Sequence, residues 1–277
     1  MKDNRVEHIN IQKISDSGSF ETEDKVAVEE PLEISVEYST ANGRMIKNIA
    51  VTMRTPGNDE ELAAGFLFTE AVIKNVSELR EIKQSPVDEN RLQVSLQENI
   101  IPALGNTVRN FYSTSSCGIC GKASIDAIRT ITQYAGEKDS MTVHANSIYS
   151  LQDELKKRQQ VFEDTGGIHA SALFDSNCNF KKLREDVGRH NALDKIIGSA
   201  FLKNELPLNN SILLLSGRAS FELVQKAAVA GIKIIAAVGA PSSLAVELAK
   251  ECNITLIGFL RNDRFNIYCG KQRIISL

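Results

Sequence analysis

The chain has 277 residues, 42% hydrophobic and 24% charged, with a net charge of −3. It is long enough for one large domain or two modest ones, and its slightly acidic balance excludes the basic footprint of a nucleic-acid binder and a polybasic membrane contact. No apolar run exceeds strand length and the start Met1-Lys2-Asp3-Asn4-Arg5-Val6-Glu7 is polar, so no membrane span or secretory leader is expected; with cysteines only at 117, 120, 178, 252 and 269, we expect a reduced, cytoplasmic protein.

Residues 1–24 are polar and read as an irregular arm or an added edge strand. A hairpin follows: 31–38 partly alternates, Asn42-Gly43 supplies the turn, and 45–54 returns. Thr55-Pro56-Gly57 breaks the strand, and Asn58 with Glu61 three residues on forms the capping-box signature of a helix running to about Glu70. Strands at 78–83 and 91–96 complete a smaller α+β domain, placed at residues 1–112.

The rhythm then changes. A helix over 147–162 stops before Thr165-Gly166-Gly167, and strands 168–175 and 181–187 flank a turn at Ser176-Asn177. Helices at 189–202, 219–230 and 241–252 alternate with strands at 212–215, 233–238 and 254–259, and Pro241 suits a first helical position. A closing hairpin is expected from 265–269 and 273–277 about Gly270-Lys271. The inner strands are continuous apolar runs, as strands covered on both faces are. Residues 113–277 therefore read as a three-layer α/β/α domain with a mostly parallel sheet and some antiparallel strands.

The chemistry gathers at Ser115-Ser116-Cys117-Gly118-Ile119-Cys120-Gly121-Lys122, followed by apolar residues at 123, 127, 128 and 131, a helical spacing. Thiols on a loop at a helix start, beside a lysine, shift toward thiolate, their pKa falling from about 8.5 to roughly 3.5–7.5. Structural zinc needs four ligands, whereas Cys178, Cys252 and Cys269 stand alone. A thioredoxin-like dithiol follows the first strand of a βαβ unit, whereas this pair lies at a domain junction. The small polar flanks fit buried structural cysteines poorly. A persulfide carrier, with one nucleophilic thiolate on a loop able to reach two partners, fits best.

Two other loops carry ligand chemistry. Glu185-Asp186-Val187-Gly188-Arg189-His190-Asn191 and Ser216-Gly217-Arg218-Ala219-Ser220 each join a strand to a helix, placing glycine, arginine and small polar groups where helix amides can hold phosphate. Gly188, Arg189, His190, Ser216, Gly217 and Arg218 are thus expected to meet an anionic, nucleotide-like ligand, although neither loop is a Walker sequence or GxGxxG. The alternative for Asp186 and Arg189 is a structural ion pair across the loop. His169, in Gly166-Gly167-Ile168-His169-Ala170-Ser171, is more often a structural residue than a catalyst. The H-x-E signature of zinc deaminases is absent there, and no metal held by the protein is expected. Lys156-Lys157-Arg158 reads as a solvated face.

These blocks combine in order. Together with Thr55-Pro56-Gly57-Asn58-Asp59-Glu60-Glu61-Leu62-Ala63-Ala64-Gly65-Phe66-Leu67, the continuation of the Glu185 block through Lys195, Ala240-Pro241-Ser242-Ser243-Leu244-Ala245 and residues 258–268, they make the chain, from about residue 25 onward, resemble the formate dehydrogenase accessory sulfurtransferases, the FdhD family. The resemblance implies a cytidine-deaminase-like fold with an appended α+β domain. It implies transfer of sulfur from a cysteine desulfurase to the molybdenum (or tungsten) bis(molybdopterin guanine dinucleotide) cofactor, before that cofactor enters formate dehydrogenase. Cys117 would hold the persulfide, with Cys120 assisting or resolving it. The cofactor contact maps to Phe259, Leu260, Arg261, Asn262, Asp263 and Arg264, with Asn262 standing where many members carry glycine. Phe259 would stack on guanine, and this segment would share one crevice with the loops at Gly188 and Ser216. Desulfurase, formate dehydrogenase, the molybdenum cofactor and a second copy of the chain as homodimer are the partners considered, with no nucleic acid and no membrane. The rival functions are a cofactor-binding chaperone without chemistry and a dithiol-disulfide oxidoreductase.

Overall fold

The structure, a computed structural model, describes residues 3–104, 134 and 140–276. The polar start does not stay irregular: β1 (Val6–Ser15) and β2 (Gly18–Ala27) pair antiparallel from Val6↔Ala27 to Ser15↔Gly18, as a separate two-stranded sheet. Neither strand has a buried residue, so they lack the apolar alternation by which a strand is recognised in sequence.

The expected hairpin forms from β3 (Glu30–Thr40) and β4 (Gly43–Arg54). With β5 (Leu79–Gln84) and β6 (Arg91–Leu96) it builds a sheet of order β4-β3-β6-β5, in which β3 and β6 run parallel. Leu32, Ile34, Val36 and Tyr38 alternate onto one face and pack on α1 (Asp59–Thr69) through Leu62, Ala63 and Leu67. The helix starts where expected, but without a capping box. Asn58 is left-handed (φ 58°) after the Pro56-Gly57 turn, so its side chain accepts no amide of the first turn, a task that needs extended backbone at that position. Glu61 instead forms an ion pair with Arg184, Nε–Oε2 2.5 Å and Nη2–Oε1 2.8 Å.

Burial would raise the Glu61 pKa, but the Arg184 guanidinium holds it below the usual glutamate value of 4.5. A carboxyl whose folded pKa is depressed stabilises the fold above its unfolded value, and that contribution is lost as pH falls through the lower, folded one. Urea midpoints of the unaltered protein should therefore drop on acidification below about pH 4.5 more steeply than those of Glu61→Gln. Equal slopes would mean that the pair contributes nothing to acid stability.

Among the described residues the second half opens with β7 (Val143–His144). The single helix expected over 147–162 is three: α2 (Ala145–Tyr149), α3 (Leu151–Lys156) and α4 (Gln160–Thr165). The second break falls at Gln159, whose ψ of 68° is not helical. Then come β8 (His169–Asp175), β9 (Phe180–Asp186), α5 (Arg189–Leu202), β10 (Ser211–Leu215), α6 (Phe221–Val229), β11 (Ile234–Ala237), α7 (Ser243–Glu251), β12 (Thr255–Gly258), β13 (Asn266–Cys269) and β14 (Ile274–Ile275). Sheet order is β13-β12-β11-β10-β8-β9. Only β10–β11 and β11–β12, the pairs joined by helical crossovers, are parallel; β8, β9 and β13 pair antiparallel, so the sheet is mixed rather than mostly parallel. The expected closing hairpin does not form: Gly270 turns left-handed (φ 72°), β13 joins β12, and β14 pairs in parallel with β7. Helix α7 begins after Pro241, with Ser242 as N-cap, because Pro241 bridges to Ala219.

Three layers result. Leu213, Leu215, Ile235, Ala237 and Leu256 face α5, α6 and α7, while Ile212, Leu214, Ile234, Ala236 and Ile257 face Ile148, Leu151 and Leu155 of α2 and α3. The boundary placed between 112 and 113 lies outside the described residues. Among those described, one apolar core runs from the N-terminal sheet through α1 and α5 to the C-terminal sheet. No helix among them is long and apolar enough to cross a membrane.

Candidate functional site

Strands β10, β11 and β12 are parallel, so their carboxyl ends share one edge of the sheet, joined there by the end of β9 and the start of β8. The loops leaving this edge are laced by hydrogen bonds. Ala170 N–H donates to Ser216 Oγ (2.8 Å) and Ser216 N–H to Ala170 O (3.0 Å). Gly239 N–H donates to Gly217 O (2.9 Å), Phe259 N–H to Gly239 O (3.1 Å) and Ser242 N–H to Ala219 O (3.0 Å). A Cβ on Gly239 would lie 2.9 Å from Arg218 N, and one on Gly258 would lie 2.8 Å from Pro241 Cδ. Glycine is what lets these loops stack into a continuous rim, and open α/β sheets bind their ligands at such an edge.

The rim gathers all three loops that the sequence singles out. At Gly188 the amide donates to Asp186 Oδ1 (2.8 Å), and α5 starts directly behind it. The ion pair considered for Asp186 and Arg189 does not form. Asp186 pairs with Lys195 at 2.7 Å instead, and also accepts from Asn191 Nδ2 (3.1 Å) and Thr55 N–H (3.3 Å). Lys195 in turn donates to Thr55 O (2.8 Å), stapling the turn after β4 to the start of α5. That leaves Arg189, half-buried, and Arg218, exposed, with no ion-pair partner among the described residues.

His190 is buried and engaged with Glu222, Nε2–Oε2 2.7 Å. Burial would raise the Glu222 pKa, but the bond from His190 keeps it below the ordinary range, so this carboxyl fixes the imidazole behind the rim. His169 differs. Its half-buried ring lies against Gly217, where an added Cβ would sit 3.4 Å from Nδ1, and neither ring nitrogen has a hydrogen-bond partner among the described residues. Burial, then the neighbouring Arg189 and His190, lower its pKa below 6.5 and favour the neutral ring.

Within the 259–264 segment the roles divide. Leu260 is fully buried in the core below, and Arg261 Nη1 donates to Val238 O (2.8 Å) and Leu260 O (2.7 Å), bracing the rim from behind. Asn262 Nδ2 donates to Asp153 Oδ1 (2.9 Å), tying the segment to α3. Phe259 is 42% exposed in a left-handed backbone (φ 54°), a strained setting for a bulky residue and one that recurs at ligand sites. Asp263 and Arg264 are exposed beside it.

Cys117 and Cys120 lie outside the described residues. Two of the other thiols are held protonated by their surroundings: burial pushes Cys178 up to about 11 and raises Cys269, which donates to Ile254 O. Thr55, Lys195 and Glu222 hold the rim together, roles the sequence reading did not assign them although Thr55 and Lys195 lie in two of its blocks. Their partners are set by tertiary contact, which no local pattern discloses.

The family model described as the FdhD/NarQ family matches residues 27–275. The chain belongs to this family. Its curated relatives include the sulfur carrier protein FdhD of Mycolicibacterium paratuberculosis, 46% identical over 90% of this chain and 91% of that one. The sulfur carrier protein FdhD of Saccharolobus solfataricus is 39% identical over 98% of each chain. Among solved structures, the crystal structure of a candidate formate dehydrogenase accessory protein from Desulfotalea psychrophila matches with a TM-score of 0.76 and 28% identity, over 98% of this chain and all of that one. The FdhD/NarQ match begins at the last residue of β2, so the first hairpin lies ahead of it while every rim loop lies inside.

Proposed function

We propose that this chain carries sulfur as a persulfide on Cys117, from a cysteine desulfurase to the molybdenum or tungsten bis(molybdopterin guanine dinucleotide) cofactor of a formate dehydrogenase. The observation that carries the reading is a Cys117-Gly118-Ile119-Cys120 pair in a chain that aligns over nine-tenths of its length or more with proteins named sulfur carriers. The rim supports the acceptor half. Two helix N-termini and the side chains of Arg189, Arg218 and Arg264 offer amides and positive charge to a pyrophosphate, and exposed Phe259 offers a face to guanine. We place this chemistry in the cytoplasm.

The chemistry balances as follows. The Cys117 thiolate attacks the outer sulfur of the desulfurase persulfide, forming the Cys117 persulfide and releasing the desulfurase thiolate. The Cys120 thiolate then attacks the inner sulfur of that persulfide. A Cys117–Cys120 disulfide forms, and hydrosulfide leaves with the bonding pair. With one proton, hydrosulfide replaces an oxo ligand of the metal and the oxygen departs as water. A dithiol reductant restores the pair. The metal chemistry belongs to the cofactor, while the protein supplies the thiolates and the positioning.

Intact-protein mass measurement after incubation with a desulfurase and cysteine should show one added sulfur, absent from Cys117→Ala. The variant should melt with the unaltered protein yet fail to activate formate dehydrogenase. Activation by Cys117→Ala without the adduct would leave a cofactor chaperone. A Cys117–Cys120 disulfide exchanging with thioredoxin substrates, with no persulfide at any stage, would favour an oxidoreductase.

A further inference from the structure

We propose that His169 contacts the ligand at the rim and that its imidazole takes up a proton as a pyrophosphate settles against it, a role that rests on the reading of the rim as a guanine-nucleotide site. Three observations converge. The ring is half-exposed at the first position of β8, on the edge where the rim loops meet. A Cβ on Gly217 would lie 3.4 Å from its Nδ1, in the loop that leads to α6, and Arg189, with no ion-pair partner among the described residues, acts on it from the first position of α5. Its two ring nitrogens are unclaimed among the described residues, whereas the neighbouring His190 is already bound to Glu222.

Among the described residues, the charged groups around it belong to α5, α6 and β9. Arg189 and His190, both from α5, act on it electrostatically. Asp186, its register partner on β9, is committed to Lys195, and Glu222 on α6 is committed to His190. Among the described residues the charges acting on the ring are therefore positive, and the Asp186 and Glu222 carboxylates are held by other partners. Burial, and then those charges, disfavour the imidazolium in the free protein. A bound pyrophosphate reverses the sign: it offsets the Arg189 charge and accepts a hydrogen bond from the imidazolium. Its binding therefore raises the proton affinity of His169, and by reciprocity lower pH tightens binding. The proton is taken up between the lowered value of the free protein and the higher one of the complex.

The test is calorimetric titration of the whole protein with GDP-mannose, whose pyrophosphate is a diester with no group titrating near neutrality. Measured in buffers of different ionisation enthalpy, binding should consume a fraction of a proton near pH 7. Affinity should rise by up to about tenfold from pH 8 to pH 6, the yield of a one-unit pKa change. His169→Gln should keep its fold and lose both the uptake and the slope. Binding with no proton uptake, or uptake unchanged in His169→Gln, overturns the His169 role and leaves the rim reading standing. No binding at any pH overturns both. Should His169→Gln fail to fold, histidine ring-proton NMR of the unaltered protein decides. Ligand must raise the midpoint of one of the four histidine signals, one that survives in His8→Gln, His144→Gln and His190→Gln alike; four unmoved midpoints, or a shift confined to a signal lost in one of these variants, overturn the proposal.

Discussion

Gly198→Ala should cost the fold more than about 3 kcal/mol, at or beyond the upper end of ordinary overpacking, or abolish folding altogether. Helices α1 and α5 cross with their backbones in contact at Gly65 and Gly198. A Cβ on Gly198 would lie 1.8 Å from Glu61 O, and one on Gly65 would lie 1.9 Å from Asp194 O. In both directions the obstacle is main chain, which cannot rotate aside as a side chain would. The crossing is also pinned at its end: Lys226 Nζ on α6 donates to Asp194 Oδ2 of α5 (2.9 Å) and to Thr69 Oγ1 of α1 (2.8 Å), all three side chains being buried. Moving α1 outward to admit a methyl would break that cluster and open the core between the two sheets. Gly167→Ala is the matched control, since its Cβ would meet nothing nearer than 3.8 Å, and it should stay within about 0.5 kcal/mol. Urea midpoints decide the matter, and an unshifted Gly198→Ala would mean that the helices have room to part.

What could be read from the chain beforehand follows from which interactions are local. Strand β6 and helix α5 fall where expected because each is a compact run bounded by polar or glycine residues. The loops that the structure brings to the rim were legible for the same reason, since each glycine-arginine pattern lies within a few residues. The first hairpin was not, because Ile14 and Phe20 are exposed and no buried face leaves a periodic trace. The mixed sheet was not either, because β8 runs antiparallel to β10 through pairings that its apolar composition does not distinguish from parallel ones. Asp186 and Arg189 sit three residues apart and invite an ion pair. The pair that forms is with Lys195, and Thr55, 131 residues earlier in the chain, completes it. The glycines at 65 and 198 lie in helical patterns whose meeting only the fold reveals. The cysteine pair is the reverse case, conspicuous in sequence and outside the described residues.

That staple yields the second large effect. Lys195→Met should destabilise the chain by about 3–5 kcal/mol, the cost of leaving a buried charge without its partner. Asp186 has no exposed surface and would keep only the Thr55, Gly188 and Asn191 donors. Loss should therefore be smaller in Lys195→Met with Asp186→Asn than the sum of the two single changes, since residues of one network do not act independently. The same carboxylate holds the Gly188 amide, and Lys195 holds Thr55 O, so the change also frees the loop that presents Arg189 to the rim. On the proposed reading of the rim, GDP-mannose affinity should consequently fall in Lys195→Met at temperatures where the variant is still folded, although the Lys195 side chain is buried behind it. A single variant that costs less than about 1 kcal/mol, within the range of an ordinary surface pair, would show that the staple holds neither the fold nor the rim.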